Sequence, residues 1–428
     1  MKRELLLVFL LVSTWSYSQE KEKNEEVSSF FKSISWSVDI LSFGRITNFE
    51  KDLGTTNPNN RIVELNDIDG GLYLRPDLSY KKEKISFWIK PRFNMEVVEN
   101  ESNTEFYFQQ AKVKYQINEA SYVSGGRYIK SIGTSTFINP SNPFFLETGR
   151  LNPKIELRPT DFIEYNFTRK NLDFTLLANI SKGEQLLFND NLFKFDNQYG
   201  VMSEYYGNSI TIGGIFTLSK NKRYHLGFYG QKNLNDAMVV WFDGAVNYNP
   251  NRFYPVHEHS TGLLGYEMVN GRENEKMFFT GLVGTSYTFK FGPTLNFEYL
   301  YNGKGYDSET FNLYDTLIKD ASNYNFDITL DLANLNLGRA LNTGMPYLRQ
   351  HYIFTQLGEN DLFGKLSYNL RYFYDLTDNS SQFSSLIEWN ILDNLEIFSV
   401  FLSNMGKEQT SFNQLINSQF MIGGIWRF

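Results

Sequence analysis

The sequence predicts an all-β fold, an antiparallel up-and-down β-barrel of about 18 strands (16–18) that crosses a membrane, with long loops at one end and short turns at the other. Three observations predict it. Long stretches alternate apolar and polar residues with period two. Aromatic content is 17% while mean hydropathy is only -0.38, which is the mixture expected when each strand shows rings to lipid and polar groups to water. The apolar faces are also too numerous for one soluble core to cover, which makes lipid their partner.

The opening residues set the destination. Lys2 and Arg3 precede an apolar run from Leu5 to Val12, and Ser16-Tyr17-Ser18 supplies small residues around a cut near Ser18/Gln19. Residues 1–18 therefore read as an export signal, too short to span a bilayer as a helix. Nothing downstream approaches the ~20 apolar residues of a spanning helix. With no cysteine, a lipidated Cys at the cut, a disulfide and a thiolate metal site are all excluded. Removing Lys2, Arg3 and Glu4 with the signal, a net +1, takes the formal charge from -7 to -8, which argues against a nucleic-acid partner. No linker, composition break or long-period repeat divides the rest. The expected organisation is a periplasmic lead-in over 19–33 and one barrel over 34–428.

Along the barrel, Ile85, Phe87, Ile89, Pro91, Phe93, Met95 and Val97 form one face, opposed by Ser86, Trp88, Lys90, Arg92, Asn94 and Glu96. Thirteen residues of alternation exceed the usual globular strand of ~5–6 and suit a tilted strand crossing lipid. Leu72 to Tyr80, Ala111 to Ile117, Leu295 to Tyr301 and Leu366 to Tyr374 repeat the pattern. Tight turns are expected at Lys81–Lys84, Asn118–Ala120, Lys170-Asn171, Lys220–Lys222, Glu359–Asp361 and Leu392–Asn394. Long loops are expected at Gly44–Asn66, Ser131–Arg158, Gly183–Asn197 and Lys304–Gly344. Strand parity is satisfied if Tyr199–Ser219 is one long strand bent at Gly207-Asn208, which leaves Pro250–Gly262 as a turn-side connection.

The last strand carries a resemblance. Ile416, Phe420, Ile422, Trp426 and Phe428 share one side, with Leu415, Asn417, Gln419, Gly423 and Arg427 on the other. This ending resembles the C-terminal signature of bacterial outer-membrane β-barrels, which implies an outer-membrane location in a Gram-negative cell. It also implies lipid and lipopolysaccharide as partners and recognition of the Phe428 strand by the barrel-assembly machinery. A second resemblance covers about fifteen residues: Gly126-Arg127, then Gly133, then Asn139-Pro140 is similar to the G-R, W-G, N-P pattern of a group of porin-like barrels, with Ile132 in place of the Trp. It implies a porin-type channel with 131–158 inside. The segment suits that role, since Pro140, Pro143 and Pro153 stiffen it, and the paired glycines at 125–126 suit a close backbone neighbour.

A barrel of 16 to 18 strands encloses water, so passive or weakly selective diffusion of small hydrophilic solutes is the leading expectation. Candidate pore-lining and constriction residues are Arg75, Lys90, Arg92, Lys112, Lys114 and Arg127 on consecutive strands, Glu147 and Glu156 on the segment, and Glu298, Arg349 and Arg371 farther along. A basic wall facing a partly acidic one favours anions modestly. The competing expectation is that these charges pair with neighbours such as Asp77, Glu96 and Glu164. Rings at Tyr73, Trp88, Phe106, Phe108 and Phe373 open an alternative, a channel for sugars or apolar compounds. His351 is expected on the lumen, and His257-Glu258-His259 as a solvated stretch rather than a metal site. No stretch marks a nucleophile for an outer-membrane lipid or peptide hydrolase, so no catalytic residue, metal or cofactor is assigned.

Overall fold

The computed structural model describes residues 33–49, 55–98, 101–145, 154–182, 195–220, 222–257, 264–271, 276–324, 327–407 and 410–428. The expected signal and the expected lead-in up to residue 32 lie outside them. Strands β1 (Ile34–Phe49), β2 (Ile68–Lys82), β3 (Ile85–Val98), β4 (Glu101–Asn118) and β5 (Ser121–Tyr128) lead to the 131–158 segment. After it come β6 (Thr160–Arg169), β7 (Leu172–Ser181), β8 (Gln198–Tyr206), β9 (Ile210–Ser219), β10 (Tyr224–Asn233) and β11 (Met238–Tyr248). A separate hairpin, β12 (Phe253–His257) with β13 (Tyr266–Asn270), precedes β14 (Met277–Thr288) and β15 (Thr294–Asn302). Helices α1 (Ser308–Ser322) and α2 (Asp327–Leu341) stand before β16 (His351–Leu362), β17 (Leu366–Asp375), β18 (Ser381–Leu392), β19 (Leu395–Met405) and β20 (Ile416–Arg427).

Apart from β12 and β13, these strands form one 18-stranded sheet in which each pairs antiparallel with its chain neighbours. It closes because β20 pairs with β19 on one side and with β1 on the other, in a register that sets Asp39 opposite Arg427 and Phe43 opposite Gly423. Closure leaves no strand with an unpaired edge, the condition for a sheet to sit in lipid. Alternation then assigns the faces. Ile422 and Phe428 are 54% and 59% exposed on the outside, whereas Met421 and Ile425, of the opposite parity, are buried inside with Leu41, Phe398 and Val400.

Two expectations are corrected by the register. Gly207-Asn208 is a hairpin turn, not a bend: Tyr206 pairs with Thr211, and Gly207 N–H donates to Ile210 O at 2.7 Å. Gly-Asn is turn chemistry, and a strand that must cross lipid in ~9–11 residues has no use for twenty. Parity survives because β11 to β14 is a single excursion with its own hairpin, so Pro250–Gly262 belongs to the long-loop end. The tight turn at 220–223 also moves to that end. The second correction is on β4, where a bulge sets Lys90 opposite Gln110 but Pro91 opposite Phe108. The extra residue, Gln109, reverses the side-chain parity. Phe106 and Phe108 therefore lie on the exposed outer face with Val113 and Tyr115, not in the lumen.

The excursion between β15 and β16 folds into a small cap. Tyr314, Leu317, Ile318 and Ala321 of α1 and Ala333, Leu337 and Ala340 of α2 share a core with Phe253 and Met268 of the β12–β13 hairpin. Tyr314 and Tyr306 enter that core because their hydroxyls donate to Ala340 O at 3.1 Å and Phe253 O at 2.6 Å. Asn336 ties α2 to β13 by accepting from Met268 N–H at 2.9 Å. Asp307 caps α1, its carboxylate accepting from Thr310 N–H at 2.8 Å. That bond holds the Asp307 carboxyl below the ordinary aspartate range. The cap's contribution is thus present above the unfolded pKa of about 3.9 and is lost as the pH falls through the lower folded value. Asp307→Ala should weaken the helix by about 1 kcal/mol at pH 7, read as faster hydrogen–deuterium exchange in α1. The difference from the unsubstituted protein should shrink once the acid is protonated; an equal difference at every pH would refute the cap.

Candidate functional site

The inner face of the sheet is polar, and the described parts of 131–158 bond to it in two limbs. The first limb, up to residue 145, leaves β5 through Gly133, whose φ of +103° puts it in the left-handed region. A Cβ at Gly133 would collide with the side chains of Asn139 and Asp243, so a tight approach and a positive φ both call for glycine. Asp243 of β11 accepts from Ser141 N–H at 2.7 Å, Ser141 Oγ at 2.9 Å and Thr134 N–H at 3.3 Å. Glu298 of β15, 0% exposed, accepts from Thr136 N–H at 2.6 Å and from Trp241 Nε1 at 2.9 Å. Two inner-wall carboxylates thus supply acceptors for peptide groups that a buried loop would otherwise leave unpaired. Phe137 completes the attachment, its ring 5.2 Å from Phe373 and 5.6 Å from Phe354. Behind it, Phe144 meets Phe162 of β6 at 5.0 Å.

The second limb, 154–158, bonds to strands on both sides of the barrel seam. Lys154 reaches Glu388 of β18 and Glu396 of β19, and its carbonyl accepts from Arg75 Nη2 at 2.9 Å. Glu156 takes Arg92 in a two-pronged pair at 2.6 and 2.9 Å. Arg158 pairs with Glu105 at 2.5 Å and stacks over Tyr107. The two limbs together are bonded to β2, β3, β4, β10, β11, β15, β18 and β19.

The candidate charges divide. Arg92, 3% exposed, is neutralised by Glu156 and, at 2.9 Å, by Asp77, which also takes Lys90 at 2.5 Å. Arg127 pairs with Asp161 at 2.7 Å. Lys112 sits 3.8 Å over the Tyr128 ring and 4.0 Å from Glu164, whose closer partner is Lys130 at 2.5 Å. Lys114 lies 3.8 Å over the Tyr122 ring. Arg371 bonds Gln356 at 2.9 Å and Asn369 at 3.1 Å. Arg349 is not on a strand: it precedes β16, with its guanidinium 4.1 Å over Phe311 of α1, so it braces the cap and does not line the bore. Glu147, Glu258 and His259 lie outside the described residues.

His351 is corrected too. It pairs in register with Tyr301 and bonds Tyr299 Oη at 2.8 Å, on the outer face, while its neighbours Tyr352 and Phe354 are buried inside. Tyr73 and Phe373 are buried on the inner face, where Tyr73 bonds Glu96. Asp243, Lys154 and Glu396 escaped the sequence reading. Asp243 had a signal, being a lone acid in the apolar strand around Trp241 and Phe242.

A closed 18-stranded antiparallel barrel with an apolar outside and a charged inside has the architecture of outer-membrane porins. The fold is similar to that of Acinetobacter baumannii OccAB1, at 11% identity over 93% of this chain and 97% of that one, with a TM-score of 0.56. It is similar also to Pseudomonas aeruginosa OccK11 (OpdR), at 10% identity over 93% and 96%, TM-score 0.54. Pseudomonas aeruginosa OpdK, solved with vanillate, matches at 9% identity over 93% and 99%, TM-score 0.54. Identities this low speak for the fold alone. No family model and no curated protein matches the sequence.

Asp243→Ala should strip the acceptors from Ser141 and Thr134. Each buried group left unpaired costs roughly 1–3 kcal/mol, so a protease should cut within 131–145 several-fold faster in a barrel that remains folded, with Asp243→Asn intermediate. Unchanged cleavage would show that the carboxylate does not hold the limb.

Proposed function

We propose that this protein is a porin-like channel of the bacterial outer membrane that passes small hydrophilic solutes by diffusion through a bore narrowed by residues 131–158. The observation that carries the reading is the pair of limbs bonded to charged inner-face side chains of a closed 18-stranded barrel. Barrels of 16 to 18 strands leave an aqueous passage, and a segment with its peptide groups tied to the wall narrows such a passage without collapsing into it. No covalent step is invoked; selection is by size and by charge at the narrowing.

Charge selection rests on fewer groups than a count of inner-face cations suggests. Asp77, Glu156, Asp161 and Glu164 offset most of the basic wall. Arg75 and Lys114 have no carboxylate within ion-pair distance among the described residues, and they carry the modest anion preference we assign. The Phe428 strand, completing the seam with β1, is the proposed signal to the assembly machinery.

In planar bilayers the purified protein should give ohmic conductance steps. A salt gradient should give a reversal potential of the sign for anions, and Arg75→Gln with Lys114→Gln should move it toward zero without abolishing the steps. Absence of steps would overturn the channel, and a cation preference would overturn the charge assignment alone.

A further inference from the structure

We propose that the long-loop mouth of the barrel carries a binding site for an uncharged, hydroxyl-rich solute of monosaccharide size, formed where the 131–145 limb meets β6 to β9. The proposal deepens the channel reading and rests on it, since a solute held here stands at the head of the passage.

The site is a cavity of about 280 Å³, just below the ~300–1,000 Å³ of pockets for drug-sized ligands. Its back wall is a row across three strands, with Gln198 of β8 paired in register to Asn179 of β7 and Ser219 of β9. Thr160 at the head of β6 extends the row. The hydroxyls of Thr160 and Ser219, on residues 2% and 6% exposed, and Oε1 of Gln198 are buried without a hydrogen-bond partner among the described residues. Buried polar atoms are nearly always paired, so three unpaired atoms on one cavity wall point to a ligand that pairs them. Hydroxyls and carboxamides both donate and accept, which matches a sugar hydroxyl and wastes half its capacity on a carboxylate.

Phe144 and Phe145 of the limb also line the cavity, with rings suited to the C–H face of a sugar. His225 is already committed, held between Asn247 at 2.8 Å and the Ser141 carbonyl at 2.9 Å. Among the cations, Arg223 is paired with Asp196. Lys304 is lowered to about 8 by burial and by the adjacent Arg252. Lys182 also lines the cavity, and an acidic sugar is therefore the competing ligand.

Calorimetric titration of the detergent-solubilised full chain with glucose, galactose and glucuronate tests this. Saturable binding of either neutral sugar is expected, with glucuronate at least about tenfold weaker, a difference of ~1.4 kcal/mol. Gln198→Leu and the smaller change Ser219→Ala should each weaken neutral-sugar binding several-fold while the barrel keeps its heat-shifted electrophoretic mobility. No binding of either neutral sugar, tighter binding of glucuronate, or binding indifferent to Ser219→Ala would overturn the site. Bilayer conductance on the same preparation separates the two readings. Ohmic steps without sugar binding leave the channel and remove the site, and binding without steps does the reverse.

Discussion

The hydrogen bonds between β1 and β20 are the constraint on which the rest of the molecule depends. Without that seam the sheet has two bare edges, and in lipid every unpaired peptide group costs several kcal/mol. With it, the outer surface needs only apolar side chains, which Trp36, Ile422, Trp426 and Phe428 supply on either side of the join. The same closure encloses a polar interior, because strict alternation sends every second residue inward.

The interior raises a second pairing problem, since a segment laid against the inner wall brings its own peptide groups with it. The molecule meets that need with side chains rather than with another strand. Asp243 and Glu298 accept from backbone N–H and side-chain donors of the first limb and its surroundings, among them Ser141, Thr134, Thr136 and Trp241. The second limb uses opposite charges, Lys154 to Glu388 and Glu396, and Glu156 to Arg92. Buried carboxylates are costly unless bonded and paired, so acids in these positions answer to the limb opposite them. Such ion pairs give little net stability, and their use is to hold the limb in one place.

Much of the barrel was legible in the chain. The Ile85–Val97 alternation and the Gln414–Phe428 ending placed the correct residues outside, because each side chain's face follows from its position once the strand is straight. Reading failed where one residue broke the count. Gln109 shifts parity on β4 and throws Phe106 and Phe108 outward, and the phase of β16 puts His351 outside. Helices α1 and α2 stand where the alternation predicts the Lys304–Gly344 loop, although Phe311, Tyr314, Leu317, Ile318 and Ala321 repeat at helical spacing behind the Asp307 cap. That signal is local, and the period-two pattern on either side of it hides it.

By itself, then, the sequence determined which surface is apolar and turned outward, the approximate number of strands and the presence of a long insertion after β5, since alternation and turn residues act through neighbours along the chain. Only the tertiary structure decided which charges meet. Arg92 and Glu156 are 64 residues apart, and Ser141 and Asp243 are 102 apart. No local rule brings them together; closing the sheet does, by setting distant strands across one interior where an unpaired charge or peptide group must find the nearest opposite.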